Sequence, residues 1–398
     1  MFKITLNKPL IFKTPVFFLV MIGIIYYLIG TMNITNHRGV MDWNLSLKVL
    51  LYGSSGLILG GMCCRVRLFP KIKLINGSKI ALYIGNILWL VGVFISIYMI
   101  MNTGLLMFSG LSHLRYLTSA KLLYMQELLL VIPVLYHFTL SLNGDCKSIY
   151  IRMMIPLTVF FLLVSGYRGI SIIFIISLFI IYYLHPNRKI KINLSKIFIG
   201  LISIYLILAG GFLLRRSLSD ELIPVDEIVY SLGYPNNTFA KSMLPIYLTF
   251  REGVGVFQNL YYKGSGTENI FISDLLTIMP GKQKSGGSKV AEIVYGVKHY
   301  DYGLTPTLYG ALYYDGGMKY LLLITFIIGY IINRLYIMTK IRYNSTSIIL
   351  FSIFFTSSLH LMHRGIYKPM YIFYIVTLVL LILIAEIIHL LLHNKLSS

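Results

Sequence analysis

LIFKTPVFFLVMIGIIYYLIGTM, Leu10 to Met32, carries a single charge, Lys13. A bilayer's hydrocarbon core takes about 20 apolar residues of helix. The run is long and lacks a small-residue cleavage site, so it predicts a first transmembrane span rather than a removed signal. Comparable runs recur along the chain, where hydrophobic residues make up 57% and charged residues 12%. A soluble chain of 398 residues could not cover that much apolar surface. Unbroken runs also exclude a β-barrel, whose short strands alternate. The fold class is all-α: a polytopic helical membrane protein. Ten spans are expected, at 13–32, 45–63, 80–101, 122–142, 149–165, 169–184, 197–214, 319–338, 346–361 and 368–391.

One stretch interrupts this pattern. Arg215 to Lys319 holds ten of the chain's 14 acidic residues and ten Lys or Arg. Elsewhere there are 25 basic residues and only four acids, Asp42, Glu127, Asp145 and Glu386. The net charge of +21 therefore reads as Lys and Arg flanking membrane spans, not as a nucleic-acid surface. Basic clusters fall at Lys3, Lys8 and Lys13, at Arg65, Arg67, Lys71, Lys73 and Lys79, and at Arg188, Lys189, Lys191 and Lys196. They recur at alternate connections, which predicts cytoplasmic termini and an extracytoplasmic 215–318 loop. The expected organisation is a seven-span region 1–214, the loop 215–318, and a three-span region 319–398. A loop on that side meets neither ATP nor sugar nucleotides, so chemistry there needs a group activated beforehand. Cys63, Cys64 and Cys146 fall near cytoplasmic ends and form no disulfide or zinc pattern.

The loop holds no metal-ligand spacing, no Gly-x-Ser-x-Gly elbow and no Walker A sequence. It holds cations beside glycines, and tyrosines. Arg215 and Arg216 leave the seventh span; Arg251-Glu252-Gly253 lies in an amphipathic stretch, Ile246 to Tyr262, suited to a membrane surface. Pro280 to Lys289 reads as a flexible basic turn. Ser165-Gly166-Tyr167-Arg168-Gly169 makes a tight turn between two short spans, and His363-Arg364-Gly365 follows the ninth. A lone arginine at a helix end can simply snorkel. Several on one side, beside glycines, point to a strongly anionic group at the bilayer surface, since guanidinium forks bind phosphate oxygens in pairs. Tyr300, Tyr302, Tyr309 and Tyr313 fit either an interfacial aromatic belt or a sugar-stacking surface. Glu127 is a lone acid within a span, structural or in the reaction path.

This layout resembles the Wzy-type oligosaccharide repeat-unit polymerases that build O-antigen and capsule. The likeness rests on Ser165–Gly169, on Arg251-Glu252-Gly253, on Gly303-Leu304-Thr305-Pro306-Thr307 through Gly317, and on His363-Arg364-Gly365. The resemblance implies a GT-C-like glycosyltransferase of the bacterial inner membrane that needs no cofactor and no metal. Its substrate would be an undecaprenyl-diphosphate-linked oligosaccharide, with a chain-length regulator protein as a further partner. Arg168, Arg251, Arg364 and Arg215 would hold the diphosphate. His299, Glu252 or Asp301 would be the general base, His299 being favoured because O-antigen ligases place a histidine in their late external loop. An O-antigen ligase acting on lipid A core and a flippase for lipid-linked oligosaccharide are the rival readings. The flippase fits less well, because the halves show no internal repeat. Tag or protease mapping should find residues 215–319 outside the cytosol; a cytosolic location would end the polymerase reading.

Overall fold

A computed structural model describes residues 14–64, 79–105, 119–144, 148–165, 168–185, 225–264, 266, 268–279, 284–296, 303–341 and 344–396. The described chain is all-helical. In order the helices are α1 Pro15–Thr31, α2 Trp43–Cys63, α3 Lys79–Thr103, α4 Ala120–Asn143, α5 Ser148–Val164, α6 Arg168–Leu184 and α7 Val225–Ser231. There follow α8 Thr238–Lys263, α9 Ser273–Leu276, α10 Gly286–Tyr295, α11 Leu308–Ile341, α12 Ser345–Arg364 and α13 Pro369–Leu396. Among the described residues, six stretches are long and apolar enough to cross a membrane: Trp43–Cys63, Lys79–Thr103, Lys121–Asn143, Leu308–Lys340, Ser345–Arg364 and Pro369–Leu391. Pro15–Thr31, Ile149–Val164 and Gly169–Leu184 are apolar but shorter. At 1.5 Å per residue, a 17-residue helix such as α1 reaches about 25 Å, slightly under the hydrocarbon thickness. The span expected at 197–214 lies outside the described residues.

Local chemistry sets the helix starts. Pro15 opens α1, where a missing N–H costs nothing and its fixed φ suits the helix. Asp42 caps α2 by accepting from the Leu45 N–H, and Asn237 caps α8 by accepting from the Ala240 N–H. The eighth expected span begins at 319, but α11 begins at Leu308. The helix is broken at Gly316 and Gly317, whose φ values are −159° and 65°. The second lies in the left-handed region that favours glycine. Asp315, just before the break, accepts hydrogen bonds at 2.7 Å from the N–H groups of both Ile270 and Phe271.

The 215–318 stretch is largely helical where described. The Ile246–Tyr262 segment belongs to α8, a 26-residue helix that packs on α1 and α10. Its Val256 and Leu260 join Ile270, Val290, Ala291, Val294, Leu304, Tyr314 and Ile366 in a buried cluster. Each such aliphatic side chain contributes about 1.5–3 kcal/mol on burial. Within the basic 280–289 segment, Lys284 bonds to Glu292 at 2.7 Å and Lys289 lies within α10.

The chain divides into two compact units, each assembled from separated segments. One comprises Met1–Lys71, Val229–Met338 and Ser357–Pro369; the other comprises Ile72–Ile228, Thr339–Thr356 and Met370–Ser398. The second unit's core includes Leu130, Tyr136, Leu162, Phe174, Ile349, Tyr374 and Leu378. Polar bridges cross between its helices, from Trp89 Nε1 to Thr158 Oγ1 at 2.9 Å and from Gln126 Nε2 to Ser96 Oγ at 2.9 Å. Glu127 is buried in this unit, 1% exposed.

In the first unit, α2 and α11 meet through glycines. A Cβ at Gly60 would strike the Phe326 carbonyl, one at Gly329 the Leu57 carbonyl, and one at Gly56 the Thr325 hydroxyl. Such close backbone approach drives helix association where no hydrophobic force does. Gly60→Val or Gly329→Val should lower the melting temperature of the detergent-solubilised protein, since overpacking costs about 1–3 kcal/mol. Gly85→Ala, where a Cβ meets only ordinary contact with His137, should not lower it.

Candidate functional site

The first unit's polar centre is built around residues 32–42, which join α1 to α2. Arg38 has φ 63° and Gly39 φ 78°; the first is an uncommon conformation for a residue with a side chain. Arg251 of α8 holds this segment. It is fully buried, 0% exposed. Its Nε donates to the His37 carbonyl at 2.9 Å; one terminal nitrogen donates to the carbonyls of Gly30 and Met32 at 3.2 and 3.1 Å. The other terminal nitrogen donates to Asn33 Oδ1 at 3.0 Å and the Gly39 carbonyl at 2.5 Å. A guanidinium has five N–H donors, and all five are engaged. Gly30 lets α8 approach, because a Cβ there would strike Val254 and the Phe250 carbonyl. The expected diphosphate ligand Arg251 therefore has no donor left for an anion and serves as a backbone clamp.

Glu252, the next residue, grips the same segment from its more exposed side. Arg38 donates to it twice, from Nε at 2.9 Å and from a terminal nitrogen at 2.5 Å, and His37 Nε2 lies 2.6 Å from Oε2. Burial would raise its carboxyl pKa, but the hydrogen bonds and charges of His37 and Arg38 outweigh this and bring it down to about 2. A carboxylate that weakly basic suits anchoring better than proton abstraction near neutral pH. Arg38 also lies 5.2 Å from the Tyr295 ring centroid, a cation–π distance.

The C-terminal turn of α12 is arranged differently. It presents His360, His363 and Arg364, followed by Lys368. Lys368, Arg364 and His363 are all near enough to His360 for their charge to act on it. Arg364 is half-buried, its Nε has no hydrogen-bond partner, and it forms no ion pair with a carboxylate among the described residues. Gly365 closes α12 with φ 69° and an N–H to the Leu361 carbonyl at 2.8 Å. A Cβ at Gly365 would strike the carbonyls of Pro306 and Thr307, so the chain crosses here only as glycine. Thr307 is tied to α1, its hydroxyl 2.5 Å from the Tyr27 hydroxyl.

Tyr26 connects the two regions. Its hydroxyl donates to the Thr249 carbonyl at 2.8 Å and lies 2.6 Å from His363 Nδ1. The charges of Arg364 and Glu252 both reach it. One neighbourhood thus holds a carboxylate already neutralised by Arg38 and, at Arg364, a guanidinium that forms no ion pair with a carboxylate among the described residues.

Of the residues singled out in the sequence, Arg364 lies at the end of α12, while Arg251 and Glu252 hold the 32–42 segment. Tyr309 is fully buried and stacks on Tyr27 at 5.9 Å, so its ring is a packing element, not a glycan platform. Tyr313 is half-buried and meets Phe257 edge-on at 6.2 Å and Tyr261 at 5.7 Å. With the exposed Tyr261 and Tyr262 it forms an aromatic face open to stacking. Arg168 starts α6, but its side chain lies outside what is described, as do Arg215, His299, Tyr300, Asp301 and Tyr302. Sequence reasoning missed Tyr26, His37, Arg38 and Lys368. A signal for them existed: the tripeptide His-Arg-Gly occurs twice, at 37–39 and 363–365. Among the described residues, no group of three His, Cys, Asp or Glu could hold a metal ion.

Arg251→Ala should destabilise the protein by at least about 3 kcal/mol, because hydrogen bonds from a charged donor contribute about 1.5–3 kcal/mol each. Arg251→Lys should recover little, having three donors and no planar fork. Both are read by thermal unfolding. Glu252 has its pKa lowered from the ordinary 4.5, so its contribution to stability is complete above about pH 4.5 and lost as pH falls toward about 2. Glu252→Gln should lack that acid limb. No family model, no curated protein and no solved structure matches the chain.

Proposed function

We propose that this chain is a membrane glycosyltransferase that joins lipid-diphosphate-linked oligosaccharide repeat units into a surface polysaccharide. The observation that carries the reading is Arg364, beside Lys368 at the end of α12: its Nε is buried and unpartnered, and it forms no ion pair with a carboxylate among the described residues. A buried guanidinium N–H without a partner calls for an acceptor from outside, and an anion suits its charge. A diphosphate at the membrane surface supplies one, and the six candidate spans supply the membrane.

In this reading a hydroxyl of one repeat unit attacks the anomeric carbon of the lipid-linked glycan. The bond from that carbon to the diphosphate oxygen breaks, and the electron pair leaves on the lipid diphosphate. Arg364 and Lys368 stabilise the charge that develops, each well-placed donor contributing about 3 kcal/mol. The open aromatic face of Tyr313, Tyr261 and Tyr262 offers ring surfaces to the sugars. The arrangement goes with ten spans, both termini in the cytoplasm of a bacterial cell and residues 215–318 outside the inner membrane. That side carries the lipid-linked substrate and no nucleotide donor.

Purified protein in nanodiscs, given a synthetic prenyl-diphosphate repeat unit, should produce a ladder of extended glycans. Arg364→Ala should lower the extension rate about 100-fold, the equivalent of about 3 kcal/mol. Arg364→Lys should recover only part, lacking the fork. Unchanged ladders from Arg364→Ala would remove Arg364 from the mechanism. Transfer to lipid A core in place of a ladder would make the protein a ligase.

A further inference from the structure

We infer that His37 is the general base that takes the proton from the attacking sugar hydroxyl, with Glu252 positioning it; this rests on the glycosyl-transfer reading above. Three observations carry the inference. The first is geometry: His37 Nε2 lies 2.6 Å from Glu252 Oε2. An ionised carboxylate oxygen can only accept at that distance, so Nε2 carries the proton and the lone pair is on Nδ1. The second is availability. Nδ1 has no partner among the described residues, and the side chain is 28% exposed. The third is rigidity. The His37 carbonyl is held by Arg251 at 2.9 Å, and its N–H donates to Thr35 Oγ1 at 3.2 Å. A base fixed by a third group behind it is the arrangement that activates a hydroxyl.

The step balances without a co-reactant beyond the two saccharides. The hydroxyl proton goes to His37 Nδ1, the oxygen lone pair forms the new bond to the anomeric carbon, and the diphosphate leaves with the electrons of the old one. Glu252 then faces an imidazolium, which it stabilises while remaining a carboxylate itself. Arg38 shares the same carboxylate and holds it in place behind the imidazole. The charged groups around the imidazole are Glu252 from α8, bonded to it, and Arg38 from its own segment, bonded to the same carboxylate. His363 is the immediate neighbour of Arg364, on the side that takes the leaving diphosphate. An in-line displacement needs its base away from the leaving group, and His37 stands on a separate segment.

The experiment compares His37→Ala and His37→Gln with the wild-type full chain in nanodiscs. Two quantities are read: extension of the synthetic prenyl-diphosphate repeat unit, and binding of farnesyl diphosphate as a probe of the anion site. General-base removal should lower extension by about 100-fold or more while binding stays within about twofold. Added imidazole should restore part of the extension in His37→Ala, where it can occupy the vacated space. Glu252→Gln should lower kcat with little change in KM, since the imidazole loses the carboxylate that orients it. Wild-type extension rates in both His37 variants would overturn the base role and leave the polymerase reading intact. Loss of farnesyl diphosphate binding together with extension, unrescued by imidazole, would make His37 structural and also overturn the base role. Absence of any ladder from the wild-type protein would overturn the polymerase reading itself, and this inference with it.

Discussion

The polar centre of this protein depends on a guanidinium that meets no acid. Arg251 is wholly out of solvent, and its charge is balanced by carbonyl oxygens and one amide oxygen. Two of those carbonyls, from Gly30 and Met32, belong to the end of α1, where a helix leaves its last carbonyls unsatisfied and carries partial negative charge. The clamp therefore stabilises a helix terminus and fixes a connecting segment at once. It works together with Glu252 to hold Arg38 in a left-handed conformation and His37 in register with α8.

Neighbouring positions on α8 divide the labour. Consecutive residues on a helix point about 100° apart. Arg251 is therefore turned inward while Glu252 faces the more open side, where it meets His37 and Arg38. The two His-Arg-Gly tripeptides then diverge because of what surrounds them. The first shares a carboxylate, which cancels its charge and orients its imidazole. The second keeps its charge, next to Lys368, and lies against Tyr26.

Apolar helix positions were legible in the sequence because a run of about 20 apolar residues has few other uses. Helices lie at every expected position within the described residues. The 215–318 stretch was harder to read: its glycines and tyrosines resemble loop, yet Gly253 and Gly255 lie inside α8, where Tyr26 and Arg38 leave no room for a larger side chain. Those glycines record close packing, not turns. Arginine roles were not legible either. Arg251 and Arg364 look alike in a sequence, since each stands beside a glycine or an acid, and only burial against carbonyls distinguishes a clamp from an open anion site. The expected stacking ring of Tyr309 was misleading for a similar reason, because an aromatic residue near a helix start serves a core as readily as a sugar.

The break at Gly316–Gly317 has a consequence for how α11 can serve two masters. A continuous helix would lock the azimuth of residues 308–315 to that of the apolar segment after them, one residue of rotation at a time. With the ladder interrupted, each piece chooses its own facing. Asp315 can seat itself on the Ile270 and Phe271 amides while Gly329 independently finds α2. The joint frees the short leading piece of the helix from the rotational demands of the long piece after it.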